Sequence, residues 1–161
     1  MMRIGFGYDA HPLISGRPLV LGGVTVPYEL GLQGHSDADV VVHALCDAML
    51  GALALGDLGQ HFPSSDDRWR GVSSLVLLQH VTTLLRHRQY VLGNADITIV
   101  AQRPQLAPYI KQMTEMVAAA ADGVPTQISI KATTTDGLGF IGQGAGMASY
   151  AVCLMYPQPA S

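Results

Sequence analysis

Between Ser36 and Gly56 the apolar residues Val41, Ala44, Leu45, Ala48, Met49 and Ala52 recur at spacings of three and four. That period belongs to an α-helix with one apolar face, and such a face has to be covered by another layer. The segments around it supply that layer. Arg3 to Tyr8 alternates, Leu19 to Val26 is two short apolar runs about Gly22-Gly23, and each reads as strand, with Gly-Gly available for a tight reversal. Ser74, Leu77, Leu78, Val81, Leu84 and Leu85 mark a second helix that ends in Arg86, His87 and Arg88. Asn94 to Ala101 reads as strand, Ile110 to Ala120 as a third helix stopped by Asp122-Gly123, and Gln127 to Thr133 and Ala148 to Met155 as strands. The order predicts an α+β protein, a mixed sheet with helices packed on one face, and one domain over residues 1–161.

Composition narrows the function. Charged residues are 13% and hydrophobic residues 48%, which excludes a disordered chain and leaves too few charges for an ordinary surface. Part of that surface is therefore expected to be buried against other copies. The net charge of -3 includes no basic stripe for a nucleic-acid backbone. No apolar stretch is long enough for a membrane span: Ala48 to Gly56 lies between Asp47 and Asp57. Cys46 and Cys153 are far apart with no second thiol beside either, so a reducing, cytoplasmic setting is expected.

Asp9 and His11 stand two apart at a strand end, where positions i and i+2 point the same way. Alone, the pair is more readily a polar strand end meeting water than half a metal site. His43 lies opposite the apolar face of its helix, in a strip with Asp39 and Asp47, and is either a solvated residue or a functional one. Together, one Asp and two His suit Zn²⁺ or a similar divalent ion with one position left open, and Asp39 or Asp47 could orient the His43 ring. Ser36 is the expected N-cap, with Asp37 and Asp39 in the first turn, and His35-Ser36 sits where a helix start favours an anion. Thr133-Thr134-Thr135-Asp136 leads into a loop with Gly137, Gly139, Gly142, Gly144 and Gly146, either a mobile glycine loop or a backbone that can approach phosphate closely.

The run Gly5-Phe6-Gly7-Tyr8-Asp9-Ala10-His11, then Leu21-Gly22-Gly23, His35-Ser36-Asp37-Ala38-Asp39, His43-Ala44, Gly56-Asp57-Leu58-Gly59, Phe62-Pro63, Ala101-Gln102-Arg103-Pro104 and Lys131-Ala132-Thr133-Thr134-Thr135 resembles the 2-C-methyl-D-erythritol 2,4-cyclodiphosphate synthase family. The resemblance covers nearly the whole chain, in order. It implies a homotrimer with active sites between subunits. It further implies Zn²⁺ on Asp9, His11 and His43, and a second ion, Mg²⁺ or Mn²⁺, on the substrate diphosphate with Asp136. The reaction it implies turns 4-diphosphocytidyl-2-C-methyl-D-erythritol 2-phosphate into the 2,4-cyclodiphosphate and CMP. In that reading His35 and Thr134 hold the transferring phosphoryl group. Ser36, Asp57, Gly59 and Asp66 match positions on the methylerythritol phosphate side. Ala101, Gln105, Leu106, Ala107, Ala132, Thr133, Phe140 and Gln143 match further substrate-binding positions, mostly on the nucleotide side.

Five positions depart from the family pattern, one of them Ser64, which stands for a frequent Asp in the loop before Asp66. Asp136 stands for a usual Glu, Gln105 for a common Lys, and Gln143 and Ala145 for the Arg and Glu of the glycine-rich stretch, which in the family lies near a trimer-axis cavity for an isoprenoid diphosphate. The triad alone also fits a zinc phosphohydrolase, and the departures fit a non-catalytic trimer that only binds a nucleotide or isoprenoid diphosphate.

Overall fold

The computed structural model describes residues 1–158. Its strands are β1 (Arg3–Ser15), β2 (Leu19–Leu21), β3 (Val24–Val26), β4 (Leu30–Leu32), β5 (Tyr90–Val100), β6 (Ile128–Thr133) and β7 (Gly146–Pro157). Its helices are α1 (Val40–Ala52), α2 (Leu58–His61), α3 (Ser74–His87), α4 (Ile110–Ala120) and α5 (Gly139–Gly142). One sheet runs in the order β4-β1-β7-β5-β6, with β5 and β6 parallel and the other neighbours antiparallel. The mixed α+β arrangement agrees with the sequence reading, which did not separate β4 or the short α2 and α5.

Along β1 the faces alternate. Gly5 and Gly7 are buried under the helices, whereas Ile4, Phe6 and Tyr8 are exposed on the other face. Glycine is required on the helix side because a Cβ on Gly5 would lie 1.8 Å from the Ala48 carbonyl oxygen. The α1 backbone thus rests directly on β1. Against its far side lies α3, and β2 and β5 add contacts, so α1 is covered nearly all round and not on the single face that its period suggests. Cys46 and Cys153 are both free and buried, and burial pushes the Cys153 thiol up to about 12.

Helix α1 starts later than expected. Asp39, not Ser36, is the N-cap. Its Oδ1 accepts from Val41 N at 3.1 Å and Val42 N at 3.2 Å. The same carboxylate accepts from Gly22 N at 2.9 Å and Gly23 N at 2.7 Å. Those two glycines have φ of 56° and 75°, the left-handed pair that a two-residue hairpin turn needs. One side chain therefore caps the central helix and pins the β2–β3 hairpin to it. Among the described residues, no helix is long and apolar enough to cross a membrane.

Candidate metal centre and its two cavities

Because Gly5 and Gly7 let α1 settle on β1, the next two residues of β1 on the helix side, Asp9 and His11, arrive beside His43 of α1. Asp9 Oδ2 is 2.9 Å from His11 Nε2 and 3.0 Å from His43 Nδ1. One ligand atom from each of Asp9, His11 and His43 lies within 4.8 Å of the others. His11 Nε2 is buried and has no hydrogen bond, since its contact with Asp9 is close but off the N–H axis. A buried nitrogen left unpartnered is costly unless something else fills its lone pair. Two imidazole nitrogens and a carboxylate oxygen converge, and with His11 Nε2 as a lone-pair nitrogen they fit a divalent cation of borderline softness.

The charges agree with that fit. Burial alone would raise the Asp9 carboxyl, but His11 and His43 together hold it below the ordinary carboxylate range. The contact with Asp9 raises the pKa of His11, with burial acting against it. Asp47 is raised by burial, with the charges of Asp57 and Asp9 adding to the effect.

His43 is 9% exposed, so it is neither solvated nor packed among apolar groups. The expected orienting carboxylates do not reach its ring. Asp39 is taken up by the α1 cap, and Asp47 accepts from Leu58 N at 2.7 Å. Instead His43 Nε2 meets Ser74 Oγ at 2.8 Å and Ser36 Oγ at 3.1 Å. Ser74 in turn bonds to Asp37. In the sequence Ser74 is only a position on the apolar period of α3. Its one visible signal is a hydroxyl on that period where a hydrophobe is usual, and the structure buries it fully.

The His35-Ser36 loop is held by its carbonyls. Arg17 donates from Nη1 to Gly34 O and from Nη2 to Ser36 O, both at 2.7 Å, and Gly71 N donates to His35 O at 2.8 Å. The His35 ring contacts Asp66 O at 3.2 Å. A cavity of about 630 Å³ opens here, bringing together Asp9, His11, His35, Ser36, His43, Asp57 and Gly59. Its wall also includes Phe62 and Trp69, which the sequence reading did not single out as site residues. Asp66 is not part of the lining: its carboxylate turns to Arg68, which holds it below the usual carboxylate range.

A second cavity, about 680 Å³, collects Ala101, Gln105, Leu106, Ala107, Ala132, Thr133 and Thr134, with Tyr28 as an unforeseen wall. Among the described residues, none lines both cavities. Through the register Asp9↔Ser149↔Ile99↔Ala132, the two lie at the same end of the sheet but three strands apart, roughly 14 Å. Asp136, Phe140 and Gln143 line neither. The glycine loop is not simply irregular: Gly139–Gly142 forms α5, and Asp136, at φ 52°, accepts from Thr134 Oγ1 at 3.3 Å.

Fold and site together define an α+β protein with a triad able to hold a cation midway along β1, which runs on to Ser15 and does not stop at Asp9 and His11 where the sequence reading ends it, and a separate cavity at the ends of β5 and β6. The YgbB family matches residues 2–156, and the chain belongs to that family. A relative in Geobacter sulfurreducens, named 2-C-methyl-D-erythritol 2,4-cyclodiphosphate synthase, is 57% identical over 154 residues, which is 96% of this chain and 98% of the relative. Among solved structures, the IspF CDP complex of Plasmodium falciparum is 31% identical with a TM-score of 0.86, covering 98% of this chain and 97% of that one. The bifunctional IspDF from Campylobacter jejuni is 38% identical with a TM-score of 0.93; the match covers 98% of this chain but 42% of that longer one.

Proposed function

We propose that this chain is an enzyme that converts 4-diphosphocytidyl-2-C-methyl-D-erythritol 2-phosphate into 2-C-methyl-D-erythritol 2,4-cyclodiphosphate and CMP, with residues 1–161 acting as one domain. The observation that carries the reading is the Asp9, His11 and His43 triad with its orphaned nitrogen, opening on a cavity that also holds His35, Ser36 and Asp57.

The chemistry needs little from the protein beyond position and charge. An oxygen of the substrate's 2-phosphate forms a bond to the β-phosphorus as the bond from that phosphorus to the CMP oxygen breaks. The attacking phosphate is already ionised at neutral pH, so no protein base is required. Asp9, His11 and His43 would hold Zn²⁺ or a similar ion, and Asp136 would contribute to a second, Mg²⁺ or Mn²⁺. Cations there supply charge neutralisation of phosphate oxygens. His35 and Thr134 hold the transferring group, Asp57 accepts from the methylerythritol hydroxyls beside Gly59, and Ser36 donates to phosphate. Asp66 supports His35 through its carbonyl. Ala101, Gln105, Leu106, Ala107, Ala132 and Thr133 form the pocket for cytidine and its phosphate. Phe140 and Gln143, in α5 and at its C-cap, would add contacts to the bound substrate. The name of the Plasmodium CDP complex agrees with a nucleotide ligand of this kind.

The chain acts as a homotrimer. Two features support this: the metal half and the nucleotide half lie in separate cavities, and Ile4, Phe6, Tyr8, Tyr150, Val152 and Tyr156 leave an apolar stripe exposed on the helix-free face. Two copies joined over that face complete each site. The buried free thiols suit a reducing cytoplasm.

Phosphorus NMR of the protein with the CDP-linked substrate and Mg²⁺ tests the reaction. Cyclic diphosphate and CMP are expected, lost on chelation and carrying no oxygen from labelled water. Linear products with labelled oxygen would make the protein a phosphohydrolase, and tight nucleotide binding without turnover would make it a binding trimer.

A further inference from the structure

A chain of hydrogen bonds runs behind the cation triad, away from the cavity. The Ser74 hydroxyl donates to Asp37 Oδ1, and Ser74 N donates to Asp37 Oδ2 at 2.9 Å. On its other side Ser74 Oγ lies 2.8 Å from His43 Nε2. Asp37 sits at the start of α3, where free N–H groups favour negative charge.

Donor and acceptor directions follow from the groups themselves. A carboxylate only accepts, so Ser74 must give Asp37 its single hydroxyl proton. Toward His43 the Ser74 oxygen then has only lone pairs. The contact is a hydrogen bond only if His43 Nε2 carries the proton. Nδ1 is then the nitrogen with a lone pair, and it faces a lone pair of Asp9 Oδ2 at 3.0 Å, an approach of two acceptors that a cation held between them would reconcile.

We infer that Ser74, anchored by Asp37, is a positioning residue that fixes His43 in the Nε2–H tautomer and aims its Nδ1 lone pair at the cation. The inference rests on the proposed metal role of Asp9, His11 and His43. It has a second consequence at Ser36, whose Oγ is 3.1 Å from the same Nε2 and accepts from Ala38 N at 3.2 Å. The one Nε2 proton is shared between Ser74 and, at longer range, Ser36, and Ser36 as acceptor toward Nε2 and Ala38 N keeps its own hydroxyl proton free for an anion in the cavity.

The test is a two-bond proton–nitrogen correlation spectrum of the metal-free wild-type chain, labelled at histidine nitrogens, in mildly alkaline solution. His43 is expected as the Nε2–H form. The Nδ1–H form, donating to Asp9 Oδ2, or the doubly protonated ring, donating to both neighbours, would overturn the inference, and this measurement needs no variant to fold. In Ser74→Ala, His43 is expected to become a mixture of tautomers, and affinity for Zn²⁺ titrated alone is expected to fall about 10- to 100-fold. Unchanged tautomer and affinity in the variant would also overturn it. If the wild-type chain shows the Nε2–H form but takes up no Zn²⁺, the metal reading fails while the hydrogen-bond chain stands.

Discussion

A Cβ on Gly7 would lie 1.9 Å from the carbonyl oxygen of Ala44. No side chain fits there, and the absence of one lets α1 approach β1 closely enough for His43, the residue before Ala44, to reach Asp9. Gly7→Ala is expected to force the helix off the strand, with an overpacking cost of about 1–3 kcal/mol or more. Urea unfolding measures that cost. Zn²⁺ affinity should fall with it, because Asp9 and His43 separate; a destabilised variant with full affinity would disconnect the packing from the site.

His43→Ala is expected to lower bound Zn²⁺ below one per chain and to remove at least 10²-fold of turnover, on the order of what loss of a supporting metal contact already causes. His43 is buried, bonded to Ser74 and in contact with Asp9, so stability should also fall, by about 1–3 kcal/mol for the partners left unsatisfied. Metal analysis, turnover and thermal unfolding of one preparation check the three effects together. Full zinc occupancy would remove His43 from the ligand set.

Mixing variants tests how the site is divided. His43→Ala damages the metal cavity and Thr134→Ala the nucleotide cavity, and each alone should be nearly inactive. Co-refolded in equal amounts, random trimers should pair two intact halves at about a quarter of their sites. Recovery near that fraction is the expected outcome of an activity assay, and no recovery would mean that both halves serve from the same chain.

Asp39 predicts an unusual pH dependence. Burial, with the nearby Asp37 charge, pushes its carboxyl up to about 6 from 3.8, against the opposing bonds from Gly23, Gly22 and Val42. A carboxyl with a raised folded pKa binds its proton more tightly in the folded state than in the unfolded one. Its contribution to stability therefore falls as pH rises from about 4 to 6 and is flat above, by a total of about 3 kcal/mol. Denaturant unfolding of wild type and Asp39→Asn across that range isolates it. A difference between the two that does not change with pH would put the Asp39 carboxyl at its ordinary value.

Much of the molecule is legible in the chain itself. Period-two alternation puts Asp9 and His11 on one side of β1, period 3.6 makes α1, α3 and α4, and Gly22-Gly23 specifies its turn, because these depend on neighbours a few residues away. The choice of cap shows where that reach ends. Ser36, Asp37 and Asp39 are all good capping residues, and only Asp39 is selected, because it alone also receives the hairpin N–H groups of Gly22 and Gly23. Likewise the strip of Asp39, His43 and Asp47 on one helix suggested that a neighbouring carboxylate orients the ring. The tertiary structure gives that task to Ser74, which is 31 residues away in sequence. Local spacing determines which ligands can face the same way. What stands behind them is decided by helix packing, since a hydroxyl on α3 reaches His43 only once α3 has covered the far side of α1.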